Sequence, residues 1–480
     1  MSTFRAVQQH LKKSWPFLLG NVVEWYDFGI YGYLAPELEY NFFRDSKVAT
    51  WVGFTVTFVL RPVGGTFNGW LADHLGRRVA VIVSLLGMLV ATVGQGLLPT
   101  DVCCGSRLGT MGVGILYFLR ALQGLSAGGE LGAIVPYIAE QSPAGCTRTS
   151  VGVLCSLALA GLFLGNFVVA VLVKLLGNQA MMTWGWRLPF LLALPGGLVC
   201  LWGRSKVPES QQFVELQTHH SDETAAAKGS FATLLAHKYS VLFSFMGCAP
   251  YAVAYFSGIW CLSYLTNQGK LEQGASLLVG CVFNAVICLS CPAWAFLNDS
   301  RFKADPLDWM LIASTVLAVS GICVFMCLSG TWQHVFWASV LALGVLYGNI
   351  LGFMSSVMYV FVADTFPTEI RALGFGFSFN MAFASMGGTA SLVNIALVRM
   401  LPSVGPGLYW SLVAAISAAM LLLGRYFRLR GVLPNYLLRE QIKSMSYETH
   451  SSTHAQQAQY ESVGRISEDD EASSSSSSDD

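Results

Sequence analysis

The chain has 480 residues, of which 54% are hydrophobic and only 12% are charged, whereas soluble proteins average about 25% charged residues. Lysine and arginine together number 28, as do aspartate and glutamate, so the formal net charge is zero. Long apolar runs recur too regularly for the cores of soluble domains, which excludes an ordinary globular protein. The composition therefore predicts an all-α polytopic membrane protein surrounded by the lipid bilayer, and no nucleic-acid partner is expected.

Twelve apolar runs are long enough to cross a bilayer, which takes about twenty residues in an α-helix. An even number of spans places both chain ends on one side, and most lysines and arginines outside the spans lie in the loops of that side. The positive-inside rule then predicts cytoplasmic termini, and a plasma-membrane location is expected. The predicted spans are residues 15 to 36, 47 to 71, 78 to 98, 111 to 138, 150 to 176, 186 to 203, 240 to 266, 273 to 297, 308 to 328, 334 to 362, 371 to 398 and 406 to 427.

The first predicted span carries two carboxylates within its apolar run. Glu24 and Asp27 are spaced i, i+3 and therefore share one helix face with Gly20 and Tyr31. Two carboxylates at that depth cannot both ionise cheaply, so at least one is expected to hold a proton, as a proton carrier requires. The alternative interpretation is structural, with one acid neutralising Arg61. The aromatic neighbours, which either line a cavity for a quaternary or amino group or simply pack, are Trp25, Tyr26, Phe28 and Tyr31.

The second predicted span contains a lone arginine, Arg61, which needs a carboxylate, a carbonyl or water at that depth. With a rise of about 1.5 Å per residue, Arg61 and Glu24 both lie about 14 to 15 Å from the cytoplasmic ends of their spans. The loop between the two spans is short, so the helices are expected to be neighbours. We therefore predict that Arg61 shares its charge with Glu24 or Asp27.

The second span ends in a short charged turn. An ordinary positive-inside loop would explain its arginines alone, but the order of residues resembles the loop signature of the major facilitator superfamily. That order is Gly69-Trp-Leu-Ala-Asp73-His-Leu-Gly76-Arg77-Arg78. The resemblance implies twelve transmembrane helices in two six-helix halves. It also implies a gating role for Gly69, Asp73, Gly76, Arg77 and Arg78.

Five stretches of the chain, at residues 20–32, 61–65, 123–130, 184–190 and 366–389, narrow this resemblance further. They resemble the metabolite:proton symporter family, which includes proline/betaine, 2-oxoglutarate, citrate and shikimate permeases. In the fourth span, Arg120 stands where superfamily members have an arginine near the proton pathway, and Glu130 follows about 15 Å further along the helix. Because Arg120 and Glu130 are too far apart to pair with each other, each is expected to contact another helix. The residues predicted to serve proton coupling or substrate binding are Glu24, Asp27, Arg61, Arg120 and Glu130.

The matching span of the second half, residues 246–265, contains tyrosines but no charge. Ion chemistry is therefore predicted to lie mainly in the first half. The residues predicted to line a substrate cavity are Tyr31, Tyr251, Tyr255 and Asn380.

Two landmarks recur at nearly the same offset along the chain, which indicates two homologous halves. Asp73 has a counterpart in Asp299, and the stretch 139–148 is echoed by 363–371. The hairpin around Asp299 departs from the motif, with Ala295 in place of glycine, which puts its gating role in doubt. The gating residues predicted from this repeat are Glu140, Arg148, Asp299, Asp364 and Arg371.

Polar segments separate the predicted domains. Residues 1–203 and 240–430 are the two halves, 204–239 is a cytoplasmic linker, and 431–480 is a disordered acidic, serine-rich cytoplasmic tail. Ser467 precedes acidic residues in a context suited to acidophilic kinases, so a kinase acting on the tail is a predicted partner. The alternative is a tail that only aids solubility.

Cysteine and histidine positions argue against other chemistry. Most cysteines lie inside apolar runs, where they act as small hydrophobes. The adjacent Cys103 and Cys104 lie in a loop, where free thiols are expected and an oxidised pair is the alternative. Histidines fall in loops, span ends or the tail, so neither a metal site nor a cofactor is expected. No nucleophile with a matching base appears in the spans, so the chain is not expected to be an enzyme.

The combined prediction is a secondary active transporter that carries a small polar organic metabolite by alternating access, with the proton as coupling ion. Buried charges of both signs suit a zwitterionic osmolyte, an amino acid or a carboxylate better than a sugar. The alternatives are a proton-independent facilitative transporter on the same fold and a transporter-derived membrane receptor.

Overall fold

The computed structural model describes residues 15–44, 46–75, 77–140, 142–143, 145–206, 231–267, 271–329, 335–367 and 370–437, together with Lys12. Within these ranges, the description leaves out the side chains at 69–70, 72–75, 77–78, 80–81, 133 and 231–232. Most of the predicted linker and nearly all of the predicted acidic tail, including Ser467, lie outside the described residues.

Long helices follow one another along the chain, and no strand occurs among the described residues. We number twelve of them in order: α1 (Trp15–Tyr33, continued by Ala35–Phe42), α2 (Lys47–Val59 and Arg61–Leu75), α3 (Arg77–Gly96), α4 (Asp101–Ala127 and Glu130–Glu140), α5 (Thr147–Ala180), α6 (Arg187–Ser205), α7 (Lys238–Asn267), α8 (Gln273–Leu297), α9 (Pro306–Ser329), α10 (Phe336–Asp364), α11 (Arg371–Met400) and α12 (Gly405–Leu429). A short helix, Phe231–Ala236, precedes α7. All but α1 and α3 are long and apolar enough to span a membrane.

The lower hydropathy of α1 and α3 has an identifiable cause in each helix. α1 carries Asn21, Glu24 and Asp27, which are buried inside the bundle and do not face lipid. In α3 the apolar stretch is Ile82–Gly96, and the helix begins with two arginines. The twelve predicted spans are therefore all present as helices, and polar side chains are tolerated in α1 because they face the interior.

Several helices are interrupted within the bundle. α2 breaks before Arg61, and α4 breaks at Gly128. α10 contains a π-helical segment, Val340–Tyr347, and α11 contains another, Phe383–Gly387. π-helical turns are frequent at functional sites, and Phe383 is indeed a wall residue of the central cavity described below.

The first six helices pack against the last six along two seams. α5 lies along α8, and α2 together with the second part of α4 lies along α11. Within the first half, Gly128 lets α4 approach α2 closely, because a Cβ atom there would collide with the Arg61 carbonyl oxygen and lie 2.6 Å from the Gly65 nitrogen. This approach brings the helix that carries Arg61 against the helix that carries Arg120 and Glu130.

Two sequence predictions are corrected. Arg204, which was assigned to the linker, belongs to α6 and is buried, because α6 continues to Ser205. The sulfurs of Cys103 and Cys104, expected as free thiols, are joined in a disulfide at the start of α4. Gly105 follows with a φ of 79°, so the backbone leaves the helical path directly after the pair.

Candidate functional site

A buried ion pair joins α1 to α2. Nη2 of Arg61 donates to Oε1 of Glu24 at 2.9 Å, and neither side chain has any surface accessible to solvent. The guanidinium carbon also lies 5.5, 4.7 and 5.8 Å from the ring centroids of Trp25, Phe28 and Phe58. The predicted pairing of Arg61 with a first-span carboxylate is therefore confirmed, and aromatic faces surround the charge.

This ion pair has unused hydrogen-bonding capacity. Nε and Nη1 of Arg61 and Oε2 of Glu24 have no hydrogen-bond partner among the described residues. Buried charged groups in this condition cost free energy unless a further polar group or water meets them. The pair can therefore accept an added carboxylate on the arginine side and a proton on the glutamate side.

Asp27 is linked to Arg120 through two intermediate side chains. Thr92 of α3 donates from Oγ1 to Oδ2 of Asp27 at 3.0 Å, and Nε2 of Gln123 donates to the Thr92 hydroxyl oxygen at 3.2 Å. Nη1 of Arg120 donates to Oε1 of Gln123 at 2.6 Å. Neither Thr92 nor Gln123 was predicted as a site residue, although a polar side chain inside an apolar span is the signal that could have found each of them.

Arg120 is held by α2 as well as by Gln123. Its Nε donates to the Gly53 carbonyl oxygen at 3.2 Å, and its Cζ lies 4.1 Å from the ring centroid of Tyr31. The Tyr31 hydroxyl donates to the Thr50 carbonyl oxygen at 3.0 Å. Tyr31 was predicted to line the substrate cavity, but it supports Arg120 instead, because its ring and hydroxyl are both directed toward α2 and α4.

A second buried ion pair lies next to the first. Nη2 of Arg204 donates to Oε1 of Glu130, and both side chains are almost inaccessible. The guanidinium fills the notch left by Gly20, where a Cβ atom would collide with it. Gly20 precedes Glu24 by one helical turn on the same face, so the two ion pairs are neighbours along α1. Glu130 meets another helix, as predicted, but its partner was missed because Arg204 was assigned to the linker.

A small central cavity lies where α1, α5, α7, α10 and α11 meet. Its volume is about 10 Å³, which is too small for a metabolite, because aromatic rings fill the space between the halves. Tyr251 and Tyr255, two of the predicted cavity residues, line it. Trp25 belongs both to this wall and to the rings around Arg61. The other lining residues are Cys155, Ala158, Leu159, Leu162, Tyr359 and Phe383.

Polar contacts connect the halves around this cavity. The Tyr255 hydroxyl donates to Oδ1 of Asn284 at 2.8 Å, and Nδ2 of Asn284 donates to the Tyr33 hydroxyl oxygen of α1 at 3.0 Å. Asn380 was predicted to line the cavity, but its Nδ2 donates to the Gly128 carbonyl oxygen at 2.7 Å. Asn380 therefore clamps α11 to the break in α4, because a carbonyl released from helical bonding needs a donor.

The terminal end of the bundle, where α1 begins and α12 ends, is closed by contacts between the halves. Nη1 of Arg148 lies 3.1 Å from Oδ1 of Asp299, and Oδ2 of Asp299 accepts from the Thr149 amide and hydroxyl, both at 2.7 Å. Nη1 of Arg371 lies 2.5 Å from Oε1 of Glu140. Asp299 therefore takes part in this closure even though its hairpin departs from the motif, because the carboxylate itself is retained.

The remaining predicted gating residues fall into two groups. Oδ2 of Asp364 lies 3.3 Å from Nη2 of Arg428, a residue of α12 in the same half. The other group cannot be placed in the site, because it lies outside the described part of the molecule. It consists of Gly76, the side chains of Asp73, Arg77 and Arg78, and the packing around Gly69.

The far end of the bundle, opposite the terminal end, contains a larger cavity. This far-end cavity has a volume of about 340 Å³ and lies between α2, α7 and α11. A layer of three aromatic rings, Phe54, Phe58 and Phe256, separates it from the central cavity. The ring centroid of Phe256 lies 4.6 Å from that of Phe58 and 5.5 Å from that of Phe54. The bundle is therefore closed at the terminal end and hollow at the far end.

Known proteins resemble the chain over most of its length. The family model described as sugar (and other) transporter matches residues 15–235. The glycine betaine/proline/ectoine/pipecolic acid transporter OusA of Dickeya dadantii is 28% identical over 452 residues, which cover 90% of this chain and 87% of that protein. The ectoine/proline transporter ProP of Corynebacterium glutamicum is 30% identical over 427 residues, which cover 84% of this chain and 82% of that protein.

The fold is shared with a solved structure. The proton:xylose symporter XylE bound to 6-bromo-6-deoxy-D-glucose matches with a TM-score of 0.65 at 17% identity, over 91% of this chain and 99% of that one. The helices and their two-half packing thus define a polytopic membrane protein of the major facilitator fold. The chain belongs to the major facilitator superfamily, within its metabolite:proton symporter family, and it is a transporter and not an enzyme.

Proposed function

We propose that this protein couples the transport of a small zwitterionic osmolyte, of the glycine betaine or proline type, to the movement of a proton. The names of the relatives support this substrate class, because they are transporters of proline, betaine or ectoine. The observation that carries the proposal is the position of Trp25, which lines the central cavity and also faces Arg61 of the Glu24–Arg61 pair. A single ring therefore separates a substrate in the cavity from the buried ion pair.

The unused hydrogen-bonding atoms of this pair support a coupling mechanism. A substrate carboxylate that reaches Nε and Nη1 of Arg61 takes over the charge that Arg61 now shares with Glu24. The Glu24 carboxylate then takes up a proton, because an uncompensated buried charge costs several kcal/mol. Substrate and proton load together by this exchange. In the empty site, the ion pair remains neutral as a unit.

The walls of the central cavity suit the cationic end of the same substrate. Trp25, Tyr251, Tyr255 and Phe383 present ring faces that attract a quaternary or secondary ammonium by cation–π interaction. The volume of about 10 Å³ requires the rings to separate before a substrate fits. Phe383 belongs to the π-helical segment of α11, a backbone geometry that is weaker than a regular α-helix and allows such a rearrangement.

We place the terminal end in the cytoplasm and the protein in the plasma membrane, because the loops on that side hold most of the lysines and arginines. In this orientation the Arg148–Asp299 and Arg371–Glu140 pairs are cytoplasmic latches of an outward-facing state. Rocking of one half on the other would break these latches and open the central cavity to the cytoplasm.

Uptake by proteoliposomes tests this proposal. Purified wild-type protein is expected to accumulate labelled glycine betaine or proline when the vesicle interior is made alkaline, and a protonophore should abolish the accumulation. Glu24→Gln and Asp27→Asn should each lose accumulation but keep the exchange of internal for external substrate, because exchange needs no net proton movement.

A matched variant controls for the loss of a carboxylate. Glu272→Gln removes an exposed acid just before α8 and should behave as wild type. Accumulation by both α1 variants at the wild-type level would refute proton coupling at these acids. Equilibration that ignores a protonophore would instead identify a facilitative transporter, and saturable binding without turnover would identify a receptor.

A further inference from the structure

The far-end cavity has a charged rim and an aromatic floor. Lys47 of α2 and Arg399 of α11 line its outer part, and Trp51 and Trp260 line its inner part. Trp51 follows Lys47 by four residues on α2, so the aromatic ring lies about 6 Å deeper along the same helix face. Both tryptophans are nearly inaccessible, whereas Lys47 is half-buried and Arg399 is exposed.

The positive charge at this rim is uncompensated within the described part of the chain. No aspartate or glutamate lines the cavity there, and neither Lys47 nor Arg399 forms an ion pair with a described residue. Two cations that share one cavity repel each other and attract an anionic group from solution. The rim therefore favours a carboxylate.

The floor favours the opposite charge. The rings of Trp260 and Tyr264 lie 5.3 Å apart on one face of α7, across the cavity from Trp51. Such indole and phenol faces bind quaternary ammonium groups by cation–π attraction. A molecule with a carboxylate at one end and an ammonium at the other therefore matches the cavity in a single orientation, with the carboxylate outward.

We propose that the far-end cavity is a second, vestibular binding site for zwitterionic substrates, loaded before the central site. Its volume of about 340 Å³ lies in the range of small-molecule pockets, about 300 to 1,000 Å³. The Phe54, Phe58 and Phe256 layer below it keeps the two sites separate in this conformation. The proposal rests on the proposed function for its substrate class, and it adds a site made of residues outside the central cavity.

The test removes the rim charges and compares the result with an equal loss of charge elsewhere at the far end. Lys47→Gln/Arg399→Gln is compared with Arg107→Gln/Lys174→Gln, whose side chains are exposed near the far ends of α4 and α5 and do not line the cavity. Full-length proteins are reconstituted, and initial rates of labelled glycine betaine uptake are measured against concentration and salt.

The rim variant should raise the KM for glycine betaine about fivefold with little change in the maximal rate, because two charge contacts, one half-buried and one exposed, are lost. Its KM should also lose the salt dependence that the wild type and the control variant retain. Lys47→Arg keeps the positive charge and should retain most of the affinity for glycine betaine. Each single variant should show a smaller part of the effect, which provides a result even if the double variant folds poorly.

Choline, which has the ammonium but no carboxylate, distinguishes the charged rim of the site from its aromatic floor. Choline should inhibit the rim variant at least as well as the wild type, whereas Trp260→Leu should weaken inhibition by choline about threefold. A merely structural role of Lys47 and Arg399 would not separate choline from glycine betaine in this way.

The outcomes separate this inference from the proposed function. Equal kinetics in the rim and control variants, with uptake intact, overturn the vestibular site and leave the proposed function standing. A parallel change in both variants also overturns it, because the effect is then one of general surface charge. A wild-type protein that neither transports nor binds glycine betaine or proline overturns the proposed function itself.

Discussion

The two halves of the bundle differ in how they use charge. Buried charged side chains run through the middle of the first half. Among the described residues of the second half, the buried charged side chains are Asp364 and Arg371, and both lie near the terminal end. α7, which is the most buried helix of the second half, presents tyrosines, phenylalanine and small residues instead. Among the described residues, the buried charges of the first half are Glu24, Asp27, Glu37, Glu39, Arg61, Arg120, Glu130, Arg148 and Arg204.

We propose that this difference gives the two halves separate tasks. A buried charge must keep a partner within hydrogen-bond distance, so a change of charge state forces a change of partners. The first half can therefore respond to protons and ionic groups. The second half, which holds Tyr251 and Tyr255 at the central cavity, contributes shape and ring faces. Variants in the first half should alter coupling, and variants in the second half should alter affinity.

The largest effect is expected at Arg61, because the division of tasks between the two halves depends most strongly on this residue. Arg61→Gln leaves Glu24 as a buried carboxylate without its cation, which costs about 3–5 kcal/mol and should lower kcat/KM for uptake about 100-fold or more. Arg61→Lys keeps the charge but loses the planar fork and should be impaired to a smaller degree. Uptake kinetics and thermal unfolding of the purified variants measure both effects.

The double variant Glu24→Gln/Arg61→Gln is the control for this prediction. It removes both charges, so its thermal stability should recover toward wild type while accumulation stays absent. Wild-type uptake by Arg61→Gln would show that Arg61 only packs, and the division of tasks between the halves would then be incorrect.

The next effect concerns the close approach that positions Arg61. Gly128→Ala would place a methyl group against the Arg61 carbonyl oxygen and should lower the free energy of unfolding by about 1–3 kcal/mol. Gly376→Ala is the matched control in the second half, because its Cβ would lie 3.6 Å from Gly132 Cα, an ordinary contact. Equal stability of the two variants in thermal unfolding would contradict the packing of α2 against α4.

A smaller effect is expected at the contact between the halves. Asp299→Asn removes the negative charge that faces Arg148 and leaves one acceptor oxygen where Arg148 and Thr149 now share two, so the terminal end should open and Cys146 nearby should react with maleimide about tenfold faster. Burial, followed by the charge of Asp299, raises the pKa of the Cys146 thiol in the closed state. Opening and charge removal therefore both increase the reactive thiolate at neutral pH.

Cys146 is labelled from the terminal side in a protein whose other cysteines are replaced. Asp305→Asn is the control, because Asp305 bonds to Arg428 and Asn435 within the second half alone. Faster labelling in both variants would indicate local loosening of the loops, whereas an unchanged rate in Asp299→Asn would mean that this aspartate does not hold the halves together.

The smallest effect is expected in the aromatic wall. Tyr255→Phe removes the hydrogen bond to Asn284 and should raise KM about threefold without changing the accumulation ratio. Tyr347→Phe also removes one buried hydroxyl bond, to the Ala254 carbonyl, but at a ring outside the cavity, and should leave KM unchanged. A loss of accumulation in Tyr255→Phe would mean that the second half takes part in coupling.

The amino-acid sequence by itself determined the twelve helical spans, most of them to within a few residues, and the similar depth of Glu24 and Arg61 in the first two of them. Both follow from local properties, since apolar length sets a span and the rise per residue sets depth. Equal depth on adjacent helices was enough to predict that Arg61 meets Glu24 or Asp27, and the structure selects Glu24. The absence of charge in residues 246–265 of α7 led to the prediction that ion chemistry lies mainly in the first half.

Only the tertiary structure decided which helix faces meet. Arg204 became the partner of Glu130 because α6 continues to Ser205 and turns that side chain toward Gly20 of α1. Tyr31 and Asn380 are directed away from the central cavity by the same kind of helix rotation. The physical reason is that the rise of a helix depends on its own backbone, whereas its rotation and its partners depend on long-range packing between helices distant in the chain.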